Sequence, residues 1–215
     1  MMSGIVIRPT RQSDYPATEF VVREAFWNVY QPGANEHYIL HLMRRWPSFI
    51  EELDFVAVDG DRIVGNVVCN HSYIEGDNGR LYDTAGLGPI AVLPEYQRLG
   101  IGRRLIERVR STAGTMNFRA IVLYGDPNYY LARGFRAAED YNVRTEENYY
   151  AAALMIDAWG SIDAGRYLEN ASQDYDAEQF RLLDSRFPLK RKFKDTPSQI
   201  RYQQVKAMRR RAGRS

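Results

Sequence analysis

The chain reads as a mixed α/β fold, a mostly antiparallel sheet flanked by helices, on three observations. Short β-rich segments at 4–10, 54–58 and 62–73 follow closely on one another, and Asp59-Gly60-Asp61 between the last two is a hairpin signal. Residues 89–124 then run strand, glycine turn, amphipathic helix, strand. Apolar residues recur at helical spacing in the remaining stretches. At 215 residues the chain can bury a core as one domain, or as one domain with an appendage.

Residues 4–10 alternate as an edge-like first strand, and Ser13 and Asp14 supply helix-start chemistry after it. Ala17, Phe20, Val21 and Ala25 predict a helix that buries one stripe, broken at 30–35. A second helix is predicted over 36–46, before Pro47, with Ile39, Leu42, Met43 and Trp46 as its apolar face. His37 and His41 lie four apart on another face, a spacing zinc can use. No Glu follows His37 as in His-Glu-x-x-His and no third ligand is evident, so no metal is expected and the pair reads as surface or pocket-lining. The two strands of the hairpin should pair antiparallel, and a polar, glycine-rich excursion at 75–80 precedes the next strand. That strand's apolar run, 89–93, stops at Pro94, which cannot donate to a ladder.

After the glycine turn, Ile101, Leu105 and Val109 recur every fourth residue until Ser111-Thr112-Ala113-Gly114 stops the helix, and 119–124 reads as a buried strand. Residues 135–142 and 152–158 should complete the sheet, which is expected to end near Trp159. Asp176 can cap a tail helix whose Phe180, Leu183 and Phe187 share a face until Pro188. Thr196-Pro197-Ser198-Gln199 then opens a basic helix through about residue 211. The expected division is a domain over 1–160 and a basic helical extension over 161–215, packed on or beside it.

The net charge of +2 conceals a lopsided distribution. Residues 186–215 hold eleven Lys/Arg against Asp195 alone, which leaves a net −8 on the rest. Cys69 is the single cysteine, so an intrachain disulfide and a cysteine metal cluster are excluded, and its strand-like setting predicts a buried apolar role. No apolar run approaches a membrane span and the start carries no signal-peptide core, which points to a cytoplasmic protein with no membrane partner.

Gln97-Arg98-Leu99-Gly100-Ile101-Gly102 is where the chemistry concentrates. The first N–H groups of a helix lack intrahelical partners and carry partial positive charge, so they bind anions. Gly100 and Gly102 let a diphosphate approach the main chain, with Arg98, Arg103 and Arg104 around it. No Gly-Lys-Ser/Thr follows, and Leu105 stands where Gly-x-Gly-x-x-Gly needs its third glycine. The remaining Gln/Arg-x-x-Gly-x-Gly, preceded by Val-Leu-Pro-Glu-Tyr, resembles motif A of the GNAT N-acetyltransferase superfamily, which cradles the pyrophosphate of acetyl-coenzyme A. Asn128-Tyr129-Tyr130-Leu131-Ala132-Arg133-Gly134-Phe135 is similar to the Tyr-x-x-x-Gly-Phe stretch that follows the next strand in that superfamily. The resemblance spans about residues 5–158. Glu36-His37-Tyr38, Leu87-Gly88-Pro89, Gly125-Asp126-Pro127, Phe187-Pro188 and Ser198-Gln199 also resemble a branch of predicted bacterial acetyltransferases whose acceptors are mostly unassigned.

The resemblance implies a GNAT fold with a central twisted sheet of six to seven strands, and an enzyme that moves an acetyl group from acetyl-CoA to a primary amine by direct attack in a ternary complex. It implies that Gln97, Arg98, Leu99, Gly100, Ile101, Gly102 and Arg103 hold the diphosphate, that pantetheine lies beside Ile90, Ala91 and Val92, and that a backbone N–H there meets the thioester carbonyl. Asn128 helps hold coenzyme A, and Tyr130 is the acid toward the departing thiolate. Neighbouring helical residues diverge by about 100°, so Tyr129 and Tyr130 cannot both face the cofactor. Trp27, Tyr30, Glu36 and His37 are the candidate acceptor-binding residues. An alkyl ammonium of pKa about 10 must lose a proton before it attacks. Asp83 is the leading candidate base, with Glu75, Glu36 and His71 beside it.

The expected partner is a small-molecule or peptide amine, and the tail leaves a homodimer open. Two other readings stand beside this one: a nucleic-acid-associated protein that uses the basic C-terminal helix, and an acyl-CoA binding module without turnover. Only Tyr202 among the basic residues of that helix offers a stacking ring, so nucleic acid is not expected.

Overall fold

Alternating apolar residues and a tight Asp59-Gly60-Asp61 connection give the first three strands, β1 (Ile5–Pro9), β2 (Phe55–Asp59) and β3 (Arg62–Gly76), paired antiparallel in sequence. The computed structural model of the protein describes residues 4–169 and 176–187. Glycines and polar residues at 77–80 turn β3 back into β4 (Leu81–Val92). The sheet continues through β5 (Ala120–Tyr124) and β8 (Leu154–Ala158) to the two-residue β6 (Arg136–Ala137). Every pair along this path is antiparallel except β4 with β5. The sheet also runs past Trp159, where the sequence ended it. β9 (Gly165–Glu169) pairs with the distal half of β3, Ser72 to Gly76, and β7 (Val143–Arg144) pairs parallel with β9.

One face of the sheet carries α1 (Tyr15–Phe26), α2 (Glu36–Met43), α3 (Ile101–Ala113) and α4 (Pro127–Leu131) over a core that includes Val22, Leu40, Val67, Leu105, Ile106 and Ile121. The other face packs Ile74, Tyr82, Val122, Ile156 and Tyr167 under the segment that crosses from β6 to β7. The predicted stripe of α3 is buried as expected. Cys69 is buried with its thiol pushed far up by loss of solvent.

Three sequence expectations need correction. The buried side of α1 is Thr18, Glu19, Val21, Val22 and Arg23, while Ala17 is exposed. In α2 the buried residues are His37, Tyr38, Leu40 and Met43, and Ile39 is 41% exposed. Both helices are rotated because they are covered on a second side. Arg44 donates to Thr18 Oγ1 at 2.8 Å, His41 Nδ1 meets Glu19 Oε1 at 2.7 Å, and α5 (Ala177–Asp184), capped by Asp176 as predicted, lies against them. The third correction is 135–142, which pairs over only two residues before turning at 138–141. The basic helix expected over 196–211 lies outside the described residues.

His37 is therefore interior and does not line a surface. Its ring meets Phe180 and Phe187, each with centroids 5.6 Å away, and Nε2 is 3.5 Å from Asp184 Oδ1, which the buried Arg23 already holds at 2.7 Å. Burial lowers its pKa from 6.5 to about 4, with Asp184 opposing the shift and Arg23 and His41 adding to it. The folded state thus prefers the neutral imidazole, and the associated stability is complete above pH 6.5 and lost as pH falls through 4. His37→Leu is expected to remove about 3 kcal/mol of the acid-side loss of stability between those limits. Urea unfolding at a series of pH values checks it, and identical slopes in both proteins would reject it.

Candidate active site

The site begins where β4 and β5 part. They pair only from Thr84 with Ala120 to Gly86 with Val122. Past that point β4 stays with β3, and β5 stays with β8 as far as Tyr124 with Leu154. The register against β3 moves from Cys69 with Leu87 to Val67 with Ile90, so Gly88 and Pro89 together oppose Val68. Such a bulge bends its strand, here away from β5. Leu93 N–H donates to Val64 C=O at 2.9 Å, and antiparallel alternation then turns Ala91 toward β3 and the backbone groups of Ile90 and Val92 into the opening. Gln97 Nε2 donates to Val92 C=O at 3.1 Å from that side. Of the three strand residues nominated from sequence, Ile90 and Val92 present main-chain groups to the groove and Ala91 does not.

Below the groove the loop over Gln97, Arg98, Leu99 and Gly100 is exposed. Arg98 and Gly100 turn it at φ values of 62° and 80°, and no side chain caps the N-terminus of α3 at Gly100. Ile101 is buried beneath, so the first-turn amides are held in place and face outward. Arg103 stays exposed and pairs loosely with Glu107 at 3.5 Å. Arg104 turns aside to donate to Ile5 C=O at 2.8 Å.

Across the groove, Asp126 caps α4 by accepting from Asn128 N–H at 3.0 Å, and it also takes the Asn128 amide at 3.1 Å. Asn128 is exposed. Tyr129 and Tyr130 diverge as helical geometry requires, their rings edge to face at 4.9 Å. A side chain at Gly102 would lie 2.5 Å from the Tyr129 hydroxyl, so Tyr129 points at the first turn of α3, with Arg133 3.4 Å over its ring. Tyr130 is 8% exposed, packs on Phe135 at 5.5 Å and sits against Gly125, where a Cβ would come within 2.1 Å of its ring. Burial, with the Tyr129 and Tyr30 hydroxyls nearby, pushes its phenol well up, so it keeps its proton at neutral pH.

The remaining nominated residues divide. Tyr30, 46% exposed, lies close enough to influence Tyr130. Trp27 carries Arg23 4.4 Å over its ring and lines a cavity of about 270 Å³ with Asn35, Phe180 and Asp184. Glu36 accepts from Asn35 N–H at 3.0 Å, and burial raises its carboxyl. His37 is interior. Asp83 is exposed at the start of β4, beyond Thr84 and at the opposite end of the strand from Ile90, so the fold does not bring it to Tyr130. Glu75 is further along in the same direction, paired with Arg166 at 2.5 Å, and His71 packs on Phe118 at 5.2 Å. No group of three His, Cys, Asp or Glu residues could hold a metal among the described residues.

The far side of the same junction carries residues that sequence reasoning did not nominate. Tyr167 on β9 reaches under Gly86, and its ring meets Tyr124 at 6.1 Å. Glu169 stands opposite Ser72. With the sheet assigned to end at Trp159, nothing in the sequence pointed to them.

Residues 52–137 match the family model for the acetyltransferase (GNAT) domain. The Escherichia coli K12 protein described as "Uncharacterized N-acetyltransferase YhbS" is 24% identical over 164 residues, which cover 74% of this chain and 92% of that one. A GNAT family acetyltransferase from Brucella melitensis, solved in complex with acetyl-CoA, superimposes with a TM-score of 0.63 at 26% identity, covering 78% of this chain and 96% of its own. YhbS from Escherichia coli, solved in complex with CoA, shares the fold at a TM-score of 0.66 and 21% identity, over 76% and 88% of the two chains.

Proposed function

We propose that this chain, which belongs to the GNAT superfamily of N-acetyltransferases, moves the acetyl group of acetyl-CoA directly onto a primary amine of a small molecule or peptide. The observation that carries this is the strand opening between β4 and β5, which runs backbone groups of Ile90 and Val92 that no strand pairs down to the uncapped N-terminus of α3. The complexes of the Brucella and Escherichia proteins with acetyl-CoA and CoA support acetyl-CoA as donor.

In this reading the amides of Ile101, Gly102 and Arg103, with Arg98, hold the diphosphate. Pantetheine runs along the open edge of β4 as a strand would, and an N–H of Ile90 or Val92 stabilises the charge that grows on the carbonyl oxygen as the amine attacks. Tyr130, held protonated, gives its proton to the departing thiolate. Asn128, freed from Asp126, serves coenzyme A, and Tyr30 borders the incoming amine.

Incubation with acetyl-CoA and a panel of polyamines, aminoglycosides, amino acids and peptides, read by thiol release, is expected to show turnover with at least one amine. Acetyl-CoA binding without release from any of them would leave a binding module in its place. Gly102→Val is expected to raise the KM for acetyl-CoA about tenfold, because its side chain occupies the approach to the first-turn amides and displaces the Tyr129 hydroxyl. An unchanged KM would mean that the diphosphate is held elsewhere.

A further inference from the structure

Just below the point where β4 and β5 part, the face opposite α3 and α4 gathers polar atoms in the interior. Gly86 is the last β4 residue paired with β5. A Cβ there would lie 2.8 Å from Asn70 Oδ1, 2.8 Å from the Tyr167 hydroxyl and 3.3 Å from Ser72 Oγ. Asn70, Ser72 and Tyr167 are at most 3% exposed, and Ser72 Oγ is 2.8 Å from Thr84 Oγ1. Tyr167 bonds Ser72 as well, and its ring extends to Tyr124, which is 42% exposed at the mouth of the opening. Ser72 is the cross-strand neighbour of Glu169, whose side chain shares a face with Tyr167 two residues before it.

Buried hydroxyls need a reason to be kept in a sheet that could be apolar. Tyr167, Ser72 and Thr84 form a hydrogen-bonded cluster beneath the strand opening, and Glu169, exposed to solvent at the end of β9, is the cross-strand neighbour of Ser72. The titratable groups facing Glu169 are Glu146, from the segment after β7, and Tyr167 on its own strand. His71, Tyr73 and Asp83 alternate to the opposite face, as does Arg166, which Glu75 holds. Partial loss of solvent around the carboxyl and the neighbouring Glu146 both push Glu169 above its ordinary value.

Resting on the acetyl-transfer reading, we propose that Glu169 is the proton acceptor of the reaction, reached from the strand opening through the hydroxyls of Tyr167 and Ser72. The ammonium N–H bond breaks toward the Tyr167 oxygen as the Tyr167 proton passes to Ser72 and the Ser72 proton to the Glu169 carboxylate, so each hydroxyl ends neutral. The freed nitrogen lone pair forms the bond to the thioester carbon and the C–S bond breaks. The nitrogen's second proton leaves to solvent as Tyr130 protonates the sulfur and is then reprotonated. Glu169 releases its proton to bulk water.

The test compares n-butylamine, which is cationic at pH 7, with hydroxylamine, which is already neutral there and needs no base. Glu169→Gln is expected to lower kcat/KM for n-butylamine about 100-fold and to change that for hydroxylamine less than about threefold. Tyr167→Phe should do the same, and the double variant should be no worse than either single one, since the groups act in series. Acetyl-CoA affinity by calorimetry should match the parent in all three. Equal losses with both nucleophiles, or none with n-butylamine, would overturn the relay alone. A parent enzyme that acetylates neither of these nor any amine of the wider panel would overturn the acetyl-transfer reading and the relay with it.

Discussion

Tyr130→Phe is expected to lower kcat about 1,000-fold while acetyl-CoA affinity stays within about twofold. The substitution removes one oxygen and leaves the ring that packs between Gly125 and Phe135. The groove therefore keeps its shape, and what is lost is the proton donor for the sulfur. Because burial and neighbouring hydroxyls hold the phenol protonated, the parent should show no alkaline decline attributable to this residue below pH 10. A loss confined to KM would reassign Tyr130 to binding, and unchanged turnover would remove it from the chemistry.

Gly125→Ala should be nearly as damaging to turnover, about 1,000-fold, although it touches no proposed ligand group. Its methyl would lie 2.1 and 2.7 Å from two ring carbons of Tyr130 and 3.0 Å from a methyl of Leu123, so the tyrosine must leave its position. The crowding costs about 1–3 kcal/mol of stability as well, which urea unfolding would register. Adding Tyr130→Phe to Gly125→Ala should lower turnover little further, because the hydroxyl is already misplaced. Additive losses would show that Gly125 acts independently of Tyr130.

Local signals carried much of this molecule. Pro94, Gly100 and Gly114 punctuate the strand, turn and helix around the phosphate-type loop, and those elements stand where the spacing put them. The single buried stripe of α3 was legible because that helix has one covered side. For α1 and α2 the stripe method failed, since Arg23 and His37 are buried by a helix more than 130 residues later in the chain. Partners that remote leave no periodicity. Asp83 shows the same limit within a strand. The inferred fold put it near the site, but an extended chain advances about 3.3 Å per residue and carries it to the other end of β4 from Ile90. Tyr167 and Glu169 were missed for a different reason. A five-residue strand, Gly-Arg-Tyr-Leu-Glu, offers too little pattern to distinguish it from a connection, and its partner is the middle of the chain.

β3 has two successive neighbours along one edge, β2 over its first half and β9 over its last five residues. Shortening the protein to residue 160 would strip the second of these and bare a row of backbone donors and acceptors from Ser72 to Gly76, a ready template for sticking to other molecules. On the ribosome, too, the sheet stays incomplete until Glu169 has emerged, so the late arrival of β9 rather than local hairpin closure sets when this edge becomes safe from aggregation.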